Sequence, residues 1–136
     1  LNEFSNKKDN FYLIHCNDGM RGPGNKYASV PPLAVNSFIH REYVETVGHY
    51  MEVIEPNTFG DTYLDKVFEL LDRKIYFHNI MIRHKHFSEY GGKDQVSVNI
   101  EKTREGIWDN PNIFEEKLMP EILKEIEIIK GRISNG

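Results

Sequence analysis

The stretch Gly60–His86, GDTYLDKVFELLDRKIYFHNIMIRHKH, decides how the rest of the chain is read. Leu64, Val67, Phe68 and Leu71 recur at i, i+3, i+4 and i+7, one apolar stripe along a helix that starts at Asp61. Lys74–Ile82 then changes period. Its spacing predicts a strand with Ile75 and Phe77 on one face and Tyr76, His78, Ile80 and Ile82 on the other, both faces partly buried. The triplet His84-Lys85-His86 closes the segment. An antiparallel return from helix to strand brings Asp61 and the histidines toward one edge of a domain.

Upstream, Phe11–Cys16 (FYLIHC) is a short apolar run halted by Asn17-Asp18-Gly19, which predicts a buried strand ending in a turn. Turn chemistry alone accounts for this triplet, because Asn, Asp and Gly all tolerate left-handed backbone. Polar groups just past a strand's C-terminal end also sit at ligand sites in α/β folds, so Asp18 carries both readings. Met20–Pro32 is a loop with two glycines and three prolines. Leu33–Ile39 is the next candidate strand, and His40–Val47 a short helix closed by Gly48.

Downstream, Phe87–Lys93 is a glycine-bearing loop, and the segment after Asp94 is ambiguous between strand and helix. Asn112 followed by Glu115 has the pattern of a capping box. Phe114, Leu118, Ile122, Ile126 and Ile129 mark the apolar face of a terminal helix, which Pro120 should kink or restart. Interleaved strands and helices make the chain α/β in class.

At 136 residues the chain fits one domain with a modest core. Hydrophobic content of 39% and charged content of 28% argue against wholesale disorder. The net charge of -4, with 17 Lys and Arg spread along the chain, supplies no basic face for nucleic acid. Cys16 stands alone and cannot form an internal disulfide, so a reducing, cytoplasmic compartment is expected. No apolar run approaches the roughly 18 residues of a membrane span. Cys-x-x-Cys, His-Glu-x-x-His, the phosphate-binding Gly-rich loop and Gly-x-Ser-x-Gly are all missing, so zinc hydrolases, P-loop enzymes and serine hydrolases lose their usual signatures.

Asp61 is a natural helix N-cap, since its carboxylate accepts hydrogen bonds from the first turn. Taken alone, capping is the favoured reading; the other is a general base toward a hydroxyl, which requires that the cap does not consume both oxygens. His84 and His86 alternate, so a regular strand points both imidazoles to one face. That suits two ligands on one metal, or one ligand and one phosphate contact; such pairs also occur with no metal. Arg41, Lys74 and Arg83 are candidate phosphate contacts, though scattered cations are more often solvated surface. Tyr50, Tyr63, Tyr90 and Trp108 are candidate sugar-stacking rings, though most such aromatics are core or boundary residues.

The order of these pieces resembles the C-terminal half of a GT-A-fold glycosyltransferase of phage and bacterial type. The resemblance rests on His40-Arg41-Glu42-Tyr43-Val44-Glu45-Thr46-Val47-Gly48-His49-Tyr50, then Gly60-Asp61-Thr62-Tyr63-Leu64-Asp65-Lys66-Val67, then Lys74-Ile75-Tyr76-Phe77 running to Ile82-Arg83-His84. Phe11–Gly19 and the downstream Lys93–Val96 and Trp108–Phe114 extend it, so it covers roughly residues 11–114. It implies that Asp61 is the catalytic base of an inverting transferase. It implies that His84 helps hold a divalent cation, Mg²⁺ or Mn²⁺, against the donor diphosphate, with Asn17, Asp18 and His86 binding substrate. The partners implied are a nucleotide-sugar donor and a glycan or other hydroxyl acceptor.

No Asp-x-Asp occurs in the chain, although the family carries its metal carboxylates in that motif. Residues 1–136 are therefore expected to be a partial domain, completed by a nucleotide-binding half upstream or on another chain. Alone, the chain is expected neither to bind nucleotide-sugar tightly nor to turn it over. The other readings are a non-catalytic binding or assembly module, and a small metal-dependent hydrolase built on Asp18, Asp61, His84 and His86.

Overall fold

Alternation along Leu13–Asn17 (β1) buries Leu13 and His15 on one face of a strand, and that face carries the core. The computed structural model describes residues 9–22, 24–25, 28–50, 60–83, 112 and 114–134. Among the described residues β1 is the middle of a three-stranded sheet, between Ser37–Ile39 (β2) and Lys74–Met81 (β3). It pairs antiparallel with β2, Leu13 opposite Ile39, and parallel with β3, Leu13 opposite Lys74. The sheet is thus mixed, and the fold is α/β.

Three helices supply the other side of the core: Arg41–Val47 (α1), Gly60–Leu70 (α2) and Met119–Ser134 (α3). The expected α2 stripe is buried, with Leu64, Val67 and Phe68 fully enclosed and Leu71 packed against them. Ile122, Ile126 and Ile129 bring α3 into the same cluster, together with Leu118 just before it and Phe11, Leu13, Ala34, Tyr43 and Tyr63.

Local chemistry explains the ends. The His40 ring accepts from the Glu42 N–H at 3.3 Å and caps α1, and Gly48 ends that helix at φ 90° with its N–H on the Val44 carbonyl. α2 ends in a Schellman turn: the Arg73 N–H donates to Phe68 O at 2.9 Å and the Asp72 N–H to Glu69 O at 3.0 Å, with Asp72 left-handed at φ 55°. This reversal sends β3 back along α2. The Arg73 carbonyl accepts from the Leu13 N–H at 3.0 Å, while its guanidinium pairs with Asp9 and lies over the Tyr12 ring at 4.8 Å.

Several expected boundaries move. β1 starts at Leu13 rather than Phe11, because the Phe11 and Tyr12 N–H groups bond locally to Asp9 Oδ1 and Asn10 O. The second strand covers Ser37–Ile39 instead of Leu33–Ile39, since the Ala34 N–H is taken by Asp65 of α2 at 2.9 Å. Lys74–Phe77 are all half-buried, as expected of a strand covered on both faces, but regular pairing with β1 stops at Phe77; the next paired residue is Met81, opposite Asn17, and His78–Met81 are exposed. Phe114–Leu118 is a wide π-helical turn, and the chain restarts as α-helix at Met119, one residue before Pro120. No helix among the described residues is long and apolar enough to cross a membrane.

Candidate functional site

Because β1 and β3 are parallel and α2 runs back against β3, the carboxyl ends of both strands and the N-terminus of α2 point the same way. Polar residues gather at that edge. Asn17 ends β1, and its side-chain oxygen accepts from the Gly19 N–H and from Asn25 Nδ2, each at 2.9 Å. Its backbone carbonyl accepts from the Ile82 N–H at 2.9 Å, which ties the end of β3 to the turn.

Asp18 is 3% exposed and its carboxylate is spent on its own loop. Oδ1 accepts from the Met20 and Arg21 N–H groups at 2.8 and 2.9 Å, and Oδ2 pairs with the Arg21 guanidinium at 3.0 Å. Turn chemistry is therefore its visible role. Gly19 takes φ 76°, and a Cβ there would meet Arg83 Cγ at 3.5 Å, so the Arg83 stem lies against the turn. Arg21 and Asn25 belong to this cluster and were not singled out from the sequence. Arg21 stands three residues after Asp18, a spacing that hints at pairing; Asn25 carries no such signal.

Asp61 sits at the start of α2, half-buried. Its Oδ1 accepts from the Thr62 N–H at 2.8 Å and lies 3.5 Å from the Thr62 hydroxyl, while Oδ2 accepts no hydrogen bond among the described residues. The expected N-cap role is not seen: α2 begins at Gly60, so Asp61 lies within the first turn and holds only the next residue's N–H, which leaves Oδ2 uncommitted among the described residues. His84 and His86 lie outside the described residues, as do Tyr90 and Trp108.

Other candidates are committed elsewhere. Lys74 pairs with Asp65 at 2.7 Å, and Arg41 is a solvated partner of Glu45 at 3.6 Å. Tyr63 points inward and donates its hydroxyl to Glu125 at 2.7 Å, so it offers no stacking face to a sugar at this edge. Beneath the turn, His15 has its pKa lowered to about 4, by burial first and by the Lys74 charge second. Its ring stacks on Tyr76 at 4.8 Å, and burial followed by the Asp18 charge raises the Tyr76 phenol pKa.

Among the described residues no group of three or more His, Cys, Asp or Glu side chains could hold a metal ion. The Asp18 oxygens face N–H groups and a guanidinium, a donor environment that does not suit a hard divalent cation. No family model, no curated protein and no solved structure matches the chain.

Proposed function

We propose that this chain is the acceptor-side part of a GT-A-type, nucleotide-sugar-dependent glycosyltransferase, with Asp61 as its base. The observation that carries the reading is the division of labour within one carboxylate. Oδ1 is fixed by the Thr62 N–H at the head of α2, and Oδ2 accepts nothing among the described residues. Fixing one oxygen orients the other. Oδ2 would take the proton from an acceptor hydroxyl while that oxygen bonds to the anomeric carbon and the bond to the nucleoside diphosphate breaks.

The Asn17–Gly19 turn and Arg83 share the edge and would shape its floor. The divalent cation belongs to the proposal only through His84, because the described carboxylates do not form its site; no step here depends on it. The mixed sheet, with a parallel and an antiparallel neighbour flanking β1, is compatible with the expected half-fold.

The test is Asp61→Asn in the chain joined to its nucleotide-binding half. A base should lose about 10²–10⁴ in kcat, with a stability change of at most about 1 kcal/mol. An unchanged kcat with only the stability loss would leave Asp61 a structural first-turn carboxylate and favour the non-catalytic module.

A further inference from the structure

We propose that a second site, beside the buried carboxylate of Glu125, binds a small organic cation of the alkylammonium class. Glu125 is 3% exposed and stands three residues after Ile122 and four before Ile129, a carboxylate on the buried face of α3. Three elements converge on it. Tyr43 of α1 donates its hydroxyl to Oε1, Tyr63 of α2 donates to Oε2 at 2.7 Å, and His49, just past α1, places Nε2 at 3.4 Å from Oε2. Burial, and then the Glu125 charge, hold the Tyr43 phenol far above its ordinary range, so it stays a donor and Glu125 the acceptor.

Buried carboxylates usually carry a lysine or arginine partner. Among the described residues none reaches either oxygen of Glu125. Instead Glu125 borders a cavity of about 250 Å³, whose lining also includes Val47, His49, Tyr63, Glu121, Lys124 and Ile128. That volume exceeds what one water needs and falls below the roughly 300 Å³ where drug-sized pockets begin. Lys124, at the rim, is 72% exposed and already pairs with Glu121 at 3.5 Å. The site therefore offers one buried negative charge, two aliphatic walls and a tyrosine ring, which match an ammonium group with a short alkyl tail. It owes nothing to Asp61 and stands apart from the transferase reading.

Titration of the full chain with n-butylammonium chloride, followed by amide NMR shifts, tests this. Saturable shifts at Glu125, His49 and Tyr63 are expected, with n-butanol and glycerol at equal concentration producing none. Glu125→Gln should weaken the affinity at least about tenfold. Lys124→Gln, at an exposed position that leaves the fold intact, should tighten it by removing a competing cation. Equal binding of n-butanol, a preference for glycerol, full affinity in Glu125→Gln, weaker binding in Lys124→Gln, or no saturable shift would each overturn the proposal.

Discussion

Asp72 holds a left-handed backbone, φ 55°, at the position after α2 where glycine has no Cβ to strain. Asp72→Gly should therefore raise the unfolding free energy by about 0.5–1 kcal/mol. Urea denaturation checks this, and a loss would mean that the Asp72 carboxylate contributes something glycine cannot replace. Gly48 does the same job after α1 and was legible, because glycine after a periodic run announces a helix stop. Asp72 was not, because nothing in its residue type distinguishes a C-terminal cap from a surface charge. The same limit governs the candidate site. Asp18 and Asp61 were recognisable as carboxylates at a strand end and a helix start. How their oxygens are divided depends on the Met20, Arg21 and Thr62 N–H groups, which only the folded backbone places.

Helices were the most legible elements, since their stripes arise from local spacing. α2 and α3 bury the residues their periodicity marks. Gly131 is the exception within α3: it takes no positive φ, and a Cβ there would have nothing within 4 Å. Gly131→Ala should stabilise the protein by about 0.5–1 kcal/mol through helix propensity and a less flexible unfolded chain. A thermal shift in the opposite direction would show that the site is more crowded than its open surroundings indicate. Ile122, fully buried on the same helix, should by contrast cost about 2–5 kcal/mol on truncation to alanine, readable in the denaturation midpoint. Strands were harder. β2 is short because Asp65, 31 residues away, takes the Ala34 N–H, and β3 loses its regular pairing where Met81 rather than His78 is the next residue to pair with β1. Both are long-range events that a local pattern does not carry.

For the molecule as a whole, the sheet order β2-β1-β3 joins segments from distant parts of the chain, and it buries His15 against Tyr76 of the neighbouring strand. Sequence showed that residue only as one letter in an apolar run. In the fold it is 1% exposed with neither ring nitrogen hydrogen-bonded among the described residues, and its pKa falls from 6.5 to about 4. The sign follows from proton counting. Between pH 6.5 and 4 the unfolded chain binds more protons at His15 than the folded one does, so stability is full above that window and is lost as pH falls through it. The whole loss attributable to His15 is on the order of 3 kcal/mol. His15→Phe keeps a ring against Tyr76 and removes both unpartnered nitrogens. It should be more stable than the parent by about 1 kcal/mol near pH 8, and the gap should widen as pH drops toward 4, because only the parent pays to charge or expel its imidazole. Urea unfolding of both proteins at matched pH values gives that difference directly, with the carboxylates common to both cancelling. Parallel curves would mean that His15 takes up its proton in the folded state as readily as in the unfolded one, and that the sheet does not close over it.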